Sequence, residues 1–574
     1  MPRWTWGAAL VPALALAGYV LWPGSSDPSP LPIPAEGPRD TLVVAVSADP
    51  QALLSPLASG GVEQSLGELI GLSLLEAAFD CTLSYSPRLA RSWQWSDDGR
   101  TVRFELRDDL TWEDGDPVDT ADVALTFALL ADPAVQSPRS AALASLDPAL
   151  RPWVIDATHV EFTFTELRDR AAMLASIATI PLVPAHALAG VPHEAAALAD
   201  HPLNTTAPLS AGPWKLVQRI PGEKLVFEPN PNWNAAPSKL RRIIVRVIPE
   251  YADRIAALLA GGVDLVDGLH VGDADRLATD PTKSTLARRG RRTQDAIFWN
   301  NVQVPSLTPQ PQRRSAGPAK PQPHPLFGDV AVRRALTMAI DVDRMVKDLL
   351  SSPTTGDVYA QRSLGTIAPA SCTASTAPLT PLPHDIEAAR LALADAGWSD
   401  NNGDGIAEKK NIPLRFTLLT YAGSARREQA ATMLQADLLA AGVDMQVELL
   451  DSAVLNERLR TREFDAVLGG WTATPYPSAT NWEAGDDLNF VSYANPNVSK
   501  WVTTADAAAG EAAVAAWQSL EAEIYADQPW TFLYWVDDLV AVDARFEGTR
   551  HDPMFAWRHP ERWSVPAERV KYPL

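Results

Sequence analysis

From residue 41 onward the chain alternates short apolar runs with stretches whose apolar residues recur at helical spacing. Leu42-Val43-Val44-Ala45-Val46 has no polar break, the pattern of a strand covered on both faces, and a helical stretch through Leu66 to Ala78 follows. Residues 92–95 and 101–106 alternate in polarity around Asp98-Gly99, which predicts a hairpin. After a second turn at Asp114-Gly115, Asp119 or Thr120 is placed to cap a helix running to about Ala131.

Two later stretches share one order of elements. Residues 242–248 are β-branched and strand-like, 251–260 helical, Gly261-Gly262 a stop, and 263–266 the start of a strand. Likewise 414–420 reads as a strand, 426–441 as a helix ended by Gly442, and 444–450 and 464–468 as strands. Each is a β-α-β unit, the building block of a parallel sheet covered by helices. Their separation predicts two α/β lobes. Between them, residues 305–325 hold seven prolines in 21 positions, a surface loop. No internal repeat is visible.

Composition narrows the class. A length of 574 residues asks for roughly three to five structural units. With 46% apolar and 21% charged residues, the chain is neither polytopic in a membrane nor disordered throughout. Its net charge of −21 repels phosphate backbones and anionic lipid, which excludes nucleic-acid binding as its main task. Nineteen tryptophans are an excess that asks for a reason. The two cysteines, Cys81 and Cys372, exclude a cysteine-cluster metal site and a disulfide-dense scaffold; buried free thiols and a single bridge are the two readings open.

The first 40 residues stand apart. Arg3 precedes an uncharged apolar stretch at 7–22, closed by Pro23-Gly24, with Ala15-Leu16-Ala17 supplying small residues. This is the order of a secretory signal. A permanent anchor is the competing reading, because Trp4, Trp6 and Trp22 suit membrane interfaces. Sixteen helical residues reach about 24 Å, short of the ~30 Å hydrocarbon core, which favours export with cleavage. Residues 23–38 hold six prolines and read as a tether.

Local catalytic signatures are missing: the chain has no HExxH, GxSxG, P-loop or strand-borne GxGxxG. Asp400-Asn401-Asn402-Gly403-Asp404-Gly405 matches the first half of a calcium loop, with Asp400, Asn402 and Asp404 at the first three ligand positions. Position 12 is Asn411 where a bidentate Glu is needed, so a tight turn is the favoured reading and calcium the weaker one. No other metal or cofactor is expected.

One set of motifs is specific when taken together. It runs from Pro87-Arg88-Leu89-Ala90-Arg91-Ser92-Trp93 through Ser96-Asp97-Asp98-Gly99, Trp112-Glu113-Asp114-Gly115 and Thr120-Ala121-Asp122-Val123. Gly212-Pro213-Trp214, Pro229-Asn230-Pro231-Asn232-Trp233, Phe298-Trp299-Asn300, Val332-Arg333-Arg334-Ala335-Leu336 and Gly469-Gly470-Trp471 continue it in order. The chain resembles the dipeptide/oligopeptide-type extracellular solute-binding proteins of ABC importers, family 5, over about residues 41–540. The resemblance implies an α/β, two-lobed periplasmic-binding-protein fold of type II, with an extra domain on the first lobe and a ligand cleft between lobes. It implies 41–83, 206–298 and 536–574 as the first lobe, 84–205 as the extra domain and 299–535 as the second lobe.

The implied function is the extracytoplasmic substrate-binding component of an importer. Its partners would be a peptide or related small solute and a permease in the cytoplasmic membrane, with the protein itself a monomer and not an enzyme. A receptor of the same fold that senses without transport is the alternative, and a secreted hydrolase the one from another class. The cleft is expected at Trp471, Thr474, Tyr476, Asn481 and Trp482, with Trp299 and Asn300 facing it from the start of the second lobe; simple core packing is the competing reading of Trp471. Two departures matter. The lipid-anchored cysteine of many family members is absent, since the first cysteine is Cys81. Peptide binders of the family place an aspartate three residues after the Gly-Trp pair, and here that residue is Thr474. A buried ammonium would then need another acid, for which Glu483, Asp486 and Asp487 are the local candidates.

Overall fold

The computed structural model describes residues 40–571, apart from 79–83, 144, 149–151, 166–169, 235–236, 279–283, 304–321, 370–378, 474–480, 485–487, 509 and 552–553. Residues 1–39, where a signal segment and tether are expected, both cysteines, Thr474, Tyr476, Asp486, Asp487 and most of the Pro-rich insert lie outside the described residues.

The apolar run at 42–46 forms β1 (Thr41–Val46), and the helix after it is α1 (Gly61–Ile70). That helix ends eight residues before the expected Ala78. Gly71 caps it in extended backbone, and Leu75–Ala77 is a short strand instead. The hairpin forms as β2 (Ala90–Trp95) and β3 (Thr101–Leu106), and Asp119 caps α2 (Thr120–Ala131) in a reciprocal box with Asp122. With β4 (Trp153–Val154) and β5 (His159–Thr163) the hairpin makes a separate four-stranded antiparallel sheet, ordered β2-β3-β5-β4, over its own core of Phe104, Trp112, Phe127 and Phe162.

The main sheet begins with β6 (Trp214–Ile220), β7 (Lys224–Pro229) and β8 (Arg242–Val247); α3 (Tyr251–Leu259), β9 (Leu265–Asp267) and α4 (Val271–Ala278) follow. In the β8-α3-β9 unit the two strands do not pair with each other. β1 lies between them, parallel to both. Its alternate residues therefore serve two cores: Leu42, Val44 and Val46 pack with Trp214 and Phe227, while Val43 and Ala45 pack with Ile255 and Val266.

The second unit consists of β11 (Arg415–Tyr421), α5 (Ala425–Ala440) and β12 (Asp444–Leu450), joined by β13 (Ala466–Thr472); β11 pairs parallel with both β12 and β13. Gly442, just past α5, holds φ +84, a value that only glycine takes without strain. Again both faces of the sheet are covered. Ile297, Leu418 and Leu468 pack with Leu434 and Leu438 on one side, and Phe298, Leu419 and Val467 with Leu455 and Trp530 on the other.

Two long strands connect the halves: β10 (Ser284–Trp299) and β14 (Trp530–Asp543), antiparallel to each other. They carry the hydrogen-bonded ladder across the molecule, in the order β12-β11-β13-β10-β14-β9-β1-β8-β7-β6, with the short strand Ala360–Arg362 added on β14. The two expected lobes thus share one continuous sheet. The division lies in the cores, which differ on the two sides, and the backbone ladder runs through. It also moves a boundary: residues 293–298 pair with β13 and pack in the second-lobe cores, so β10 changes lobes before Thr293 and not at residue 298.

Candidate functional site

In a sheet of parallel β-α-β units, ligands bind beyond the carboxyl ends of the strands, where loops diverge and helix N-termini converge. In the first lobe those ends are the residues after β9, in the second the residues after β11 and β13. The chain leaves β13 at Thr472 and runs directly into the segment expected to line the cleft.

Trp471 is partly buried, its ring 6.4 Å from that of Trp530, and it packs with Ala368, Ala473 and Trp535. Trp482 is fully buried on Trp530 at 4.6 Å, edge-on to Tyr493 at 6.3 Å. Asn481 is buried beside it, and among the described residues its Oδ1 and the Nε1 atoms of Trp482 and Trp530 have no hydrogen-bond partner. An aromatic wall with orphaned polar atoms therefore borders Trp471, part of the reason for the tryptophan excess. Thr474 and Tyr476 belong to the undescribed stretch 474–480.

Trp299 and Asn300 are not brought together with these residues. Antiparallel register pairs Gln294 with Trp471 but Trp299 with Ala466, which sets Trp299 five residues, about 17 Å, along β10 from the Trp471 position. Trp299 is fully buried against Phe327 and Phe416, and its Nε1 donates to Thr531 Oγ1 at 2.9 Å. Asn300 Nδ2 donates to the carbonyls of Phe464 and Arg462 at 2.9 and 3.1 Å. Both are core residues that lock the far end of β10 to the approach to β13. A cavity of about 630 Å³ opens at that far end, lined by His324, Thr417, Arg458 and Asp465 among others, with His324 Nε2 3.3 Å from Asp465.

A cluster that the sequence reading missed lies over the middle row of the connecting strands. Asp295 on β10 pairs with Gly470 on one side and Tyr534 on the other. Its carboxylate is fully buried and accepts from Arg426 Nε at 2.9 Å and Nη2 at 3.3 Å, and from Arg427 Nε at 3.1 Å and Nη2 at 2.9 Å. Burial opposes the charge of Asp295, but the two guanidiniums outweigh it and hold the carboxyl below its ordinary range. Both arginines sit in the first turn of α5, immediately after β11. Gly470 makes the approach possible: a Cβ there would collide with Arg427 Nη2. On the first-lobe side, His270 follows β9, stacks on Tyr251 at 3.8 Å, and has its pKa lowered by burial and by the charge of Arg426. The only sequence sign of this cluster was a pair of arginines just after a strand end.

The loop at 400–405 forms the expected turn. Asp400 Oδ1 and Oδ2 accept from the amides of Gly403 and Gly405 at 2.7 and 2.9 Å, and Asn402 Oδ1 accepts from the Asp404 amide at 2.8 Å. Asp400, Asp404 and Glu408 each bring one oxygen within 4.8 Å of the others. These hard oxygen donors suit calcium in kind, but most already serve the turn.

Two lobes built on parallel units, joined by long strands and meeting at strand carboxyl ends, define a two-lobed solute-binding fold. The profile of the bacterial extracellular solute-binding proteins, family 5 (Middle), matches residues 84–486, and the chain belongs to that family. Oligopeptide-binding protein AppA of Bacillus subtilis is 26% identical over 67% of this chain and 66% of its own length. Protein XP55 of Streptomyces lividans is 27% identical over 89% and 86%. The AppA structure with a nonapeptide superposes with a TM-score of 0.76 at 22% identity, covering 92% of this chain and all of that one; NikZ of Campylobacter jejuni with Ni(L-His) gives 0.75 at 21%, with the same coverage.

Proposed function

We propose that this protein captures a short peptide or peptide-like solute between its lobes outside the cytoplasmic membrane and delivers it to an ABC permease. It acts as a binder and not as an enzyme. The observation that carries this reading is the aromatic wall of Trp471, Trp482 and Trp530 at the carboxyl end of β13, bearing buried polar atoms without partners. Trp482 and Trp530 are buried, so the face offered to a ligand is that of the partly buried Trp471, which they back; an aromatic, mostly apolar lining is the usual make-up of a ligand site. The names and bound molecules of AppA and its relatives support a peptide. The apolar segment at 7–22, with its basic start, supports export.

Mass spectrometry of small molecules released on denaturing the purified protein identifies the cargo class. Calorimetry with paired free and N-acetylated peptides then tests how the amino end is read. Because Thr474 cannot neutralise an ammonium, Glu483→Gln, Asp486→Asn or Asp487→Asn is expected to cost about 2–5 kcal/mol of binding to the free form. A release spectrum with no peptide, together with no calorimetric binding of peptides, overturns the peptide reading. Release of a metal chelate would move the cargo to the class that NikZ holds.

A further inference from the structure

Outside the site described above, two carboxylates and an imidazole converge in the domain built on the β2-β3-β5-β4 sheet. Asp114 and Asp116 lie on one tight turn. Gly115 at φ +99, the Trp112 amide donating to the Asp116 carbonyl at 2.8 Å, and the Thr111–Pro117 bridge at its base close that turn. His186 arrives from 72 residues beyond Asp114. Its Nε2 lies 2.9 Å from Asp114 Oδ2 and 3.4 Å from Asp116 Oδ2, and one ligand atom from each of the three residues falls within 4.8 Å of the other two.

The two segments are held by a group that takes no part in the cluster. Asp122, buried in the first turn of α2, accepts from Trp112 Nε1 at 3.1 Å through Oδ2 and from the Ala185 amide at 2.7 Å through Oδ1. The turn and the His186 segment thus hang on one carboxylate, with the His186 ring 6.4 Å from that of Trp112. Asn232 Nδ2 donates to the Trp112 carbonyl at 2.9 Å, and the Glu113 amide to the Ser210 carbonyl at 2.8 Å, which fixes the turn from its other side. Asp114 Oδ1 accepts from the Asp116 amide at 3.2 Å, an arrangement that aims Oδ2 at His186. The three donors are therefore placed before any ligand arrives.

Their charges do not balance. Among the described residues no lysine or arginine pairs with Asp114 or Asp116, and one imidazole, even protonated, leaves the cluster at a net −1. Lys215 attracts the neighbouring Glu113 instead. In a tetrahedral site with bonds of about 2.0–2.1 Å, ligand atoms stand roughly 3.3 Å apart, and the two distances from His186 Nε2 fall on either side of that value. An imidazole with two carboxylates suits zinc and its first-row neighbours, whereas calcium and magnesium favour oxygen donors alone. The side chains of His186, Asp114 and Asp116 keep 29%, 38% and 57% of their surface exposed, so an ion can enter and water can complete its shell. We propose that Asp114, Asp116 and His186 bind a divalent metal ion of the zinc type, one atom from each, and that the ion pins the 112–116 turn to the segment carrying His186. The site is separate from the cargo and independent of what the cargo is.

The test is calorimetry with zinc chloride on the full chain, purified without a histidine tag and stripped with EDTA. Beside it stand Asp116→Asn, His186→Gln and, as a control at the all-oxygen loop, Asp404→Asn. Wild type is expected to take up zinc with a dissociation constant of about 10 μM or below. Asp116→Asn and His186→Gln are each expected to weaken this about 30-fold or more, and Asp404→Asn by less than about twofold. Zinc is expected to raise the melting temperature of wild type and not that of His186→Gln, and calcium to raise neither through this site. If His186→Gln folds poorly, Asp116→Asn decides, because it leaves the Asp114–His186 contact in place. No saturable uptake below about 1 mM zinc, or uptake that survives either substitution in a folded variant, overturns the site. A loss of uptake confined to Asp404→Asn overturns it as well, by moving the ion to the other loop.

Discussion

Asp40 and Arg545 stand 505 residues apart in the chain and share a buried hydrogen bond, Arg545 Nε donating to Asp40 Oδ2 at 3.1 Å. The same guanidinium donates through Nη1 to Asp264 Oδ1 at 2.6 Å and through Nη2 to the Thr41 carbonyl at 3.0 Å, and Lys571 Nζ donates to Asp264 at 3.1 Å. The start of β1, the approach to β9 and the C-terminal segment are thus tied at one point. Removing the arginine leaves two buried carboxylates short of their main partner. Arg545→Met is therefore expected to lower stability by about 3–5 kcal/mol in a denaturant titration. A loss below ~1 kcal/mol would show the network to be replaceable by apolar packing.

A second long-range pair sets a pH window. His559 Nε2 lies 2.7 Å from Glu76 Oε1, and His559 Nδ1 lies 3.0 Å from Glu561 Oε1. Burial works against the Glu76 charge, but the His559 hydrogen bond and charge override it and lower its pKa from 4.5 to about 2. Burial likewise opposes protonation of His559, and its hydrogen bonds to Glu561 and Glu76 outweigh this and raise its pKa above 6.5. The Glu76 contribution is complete above 4.5 and disappears as pH falls toward 2; that of His559 is complete below 6.5 and disappears as pH rises through its raised value. Wild type is expected to lose stability relative to Glu76→Gln on both sides of a plateau at about pH 4.5–6.5, measured as the pH dependence of the unfolding midpoint. Parallel curves would dismiss the pair.

Asn300 separates structure from recognition. Its amide bridges the carbonyls of Phe464 and Arg462 inside the protein, so Asn300→Ala is expected to cost about 2–3 kcal/mol of stability and leave cargo affinity within twofold. Trp471→Ala is expected to do the reverse: a modest drop in melting temperature, with at least tenfold weaker binding and loss of the cargo-induced change in tryptophan fluorescence. Calorimetry and thermal melts on the two variants, side by side, distinguish the roles.

Gly470→Ala tests the close approach of α5 to β13. The new methyl occupies the place of Arg427 Nη2, so that guanidinium must leave Asp295, which keeps Arg426 alone. A cost of about 1–3 kcal/mol is expected, largely absent in an Arg427→Ala background, where the methyl meets no guanidinium. Equal costs in both backgrounds would mean that backbone effects dominate.

Elements governed by local pattern were legible. The Asp119 cap, the Asp98-Gly99 hairpin and the β11-α5-β12 unit follow from caps, turns and periodicity that act within a few residues. What was missed depends on partners distant in the chain. Nothing in residues 284–299 announces that one strand will serve two lobes, because the difference lies in its partners: β14 pairs along its length, while β13 joins only from Thr293 onward. Trp299 and Asn300 sit beside the second lobe in sequence, yet strand register puts them at the end of β10 away from Trp471. The Asp295 cluster needs residues 295, 426, 470 and 534 at once, and no short motif contains them.

β10 and β14 have a mechanical consequence. A joint made of loops swings freely, but these two strands are hydrogen-bonded to each other through the crossing, with register shifts only at 289–293 and 295–296. Any rotation of one lobe against the other must bend this ribbon, and the bend concentrates at the two irregular points. Lobe closure on cargo is therefore expected to be a bend of one paired ribbon, and not the free swing of a loose linker.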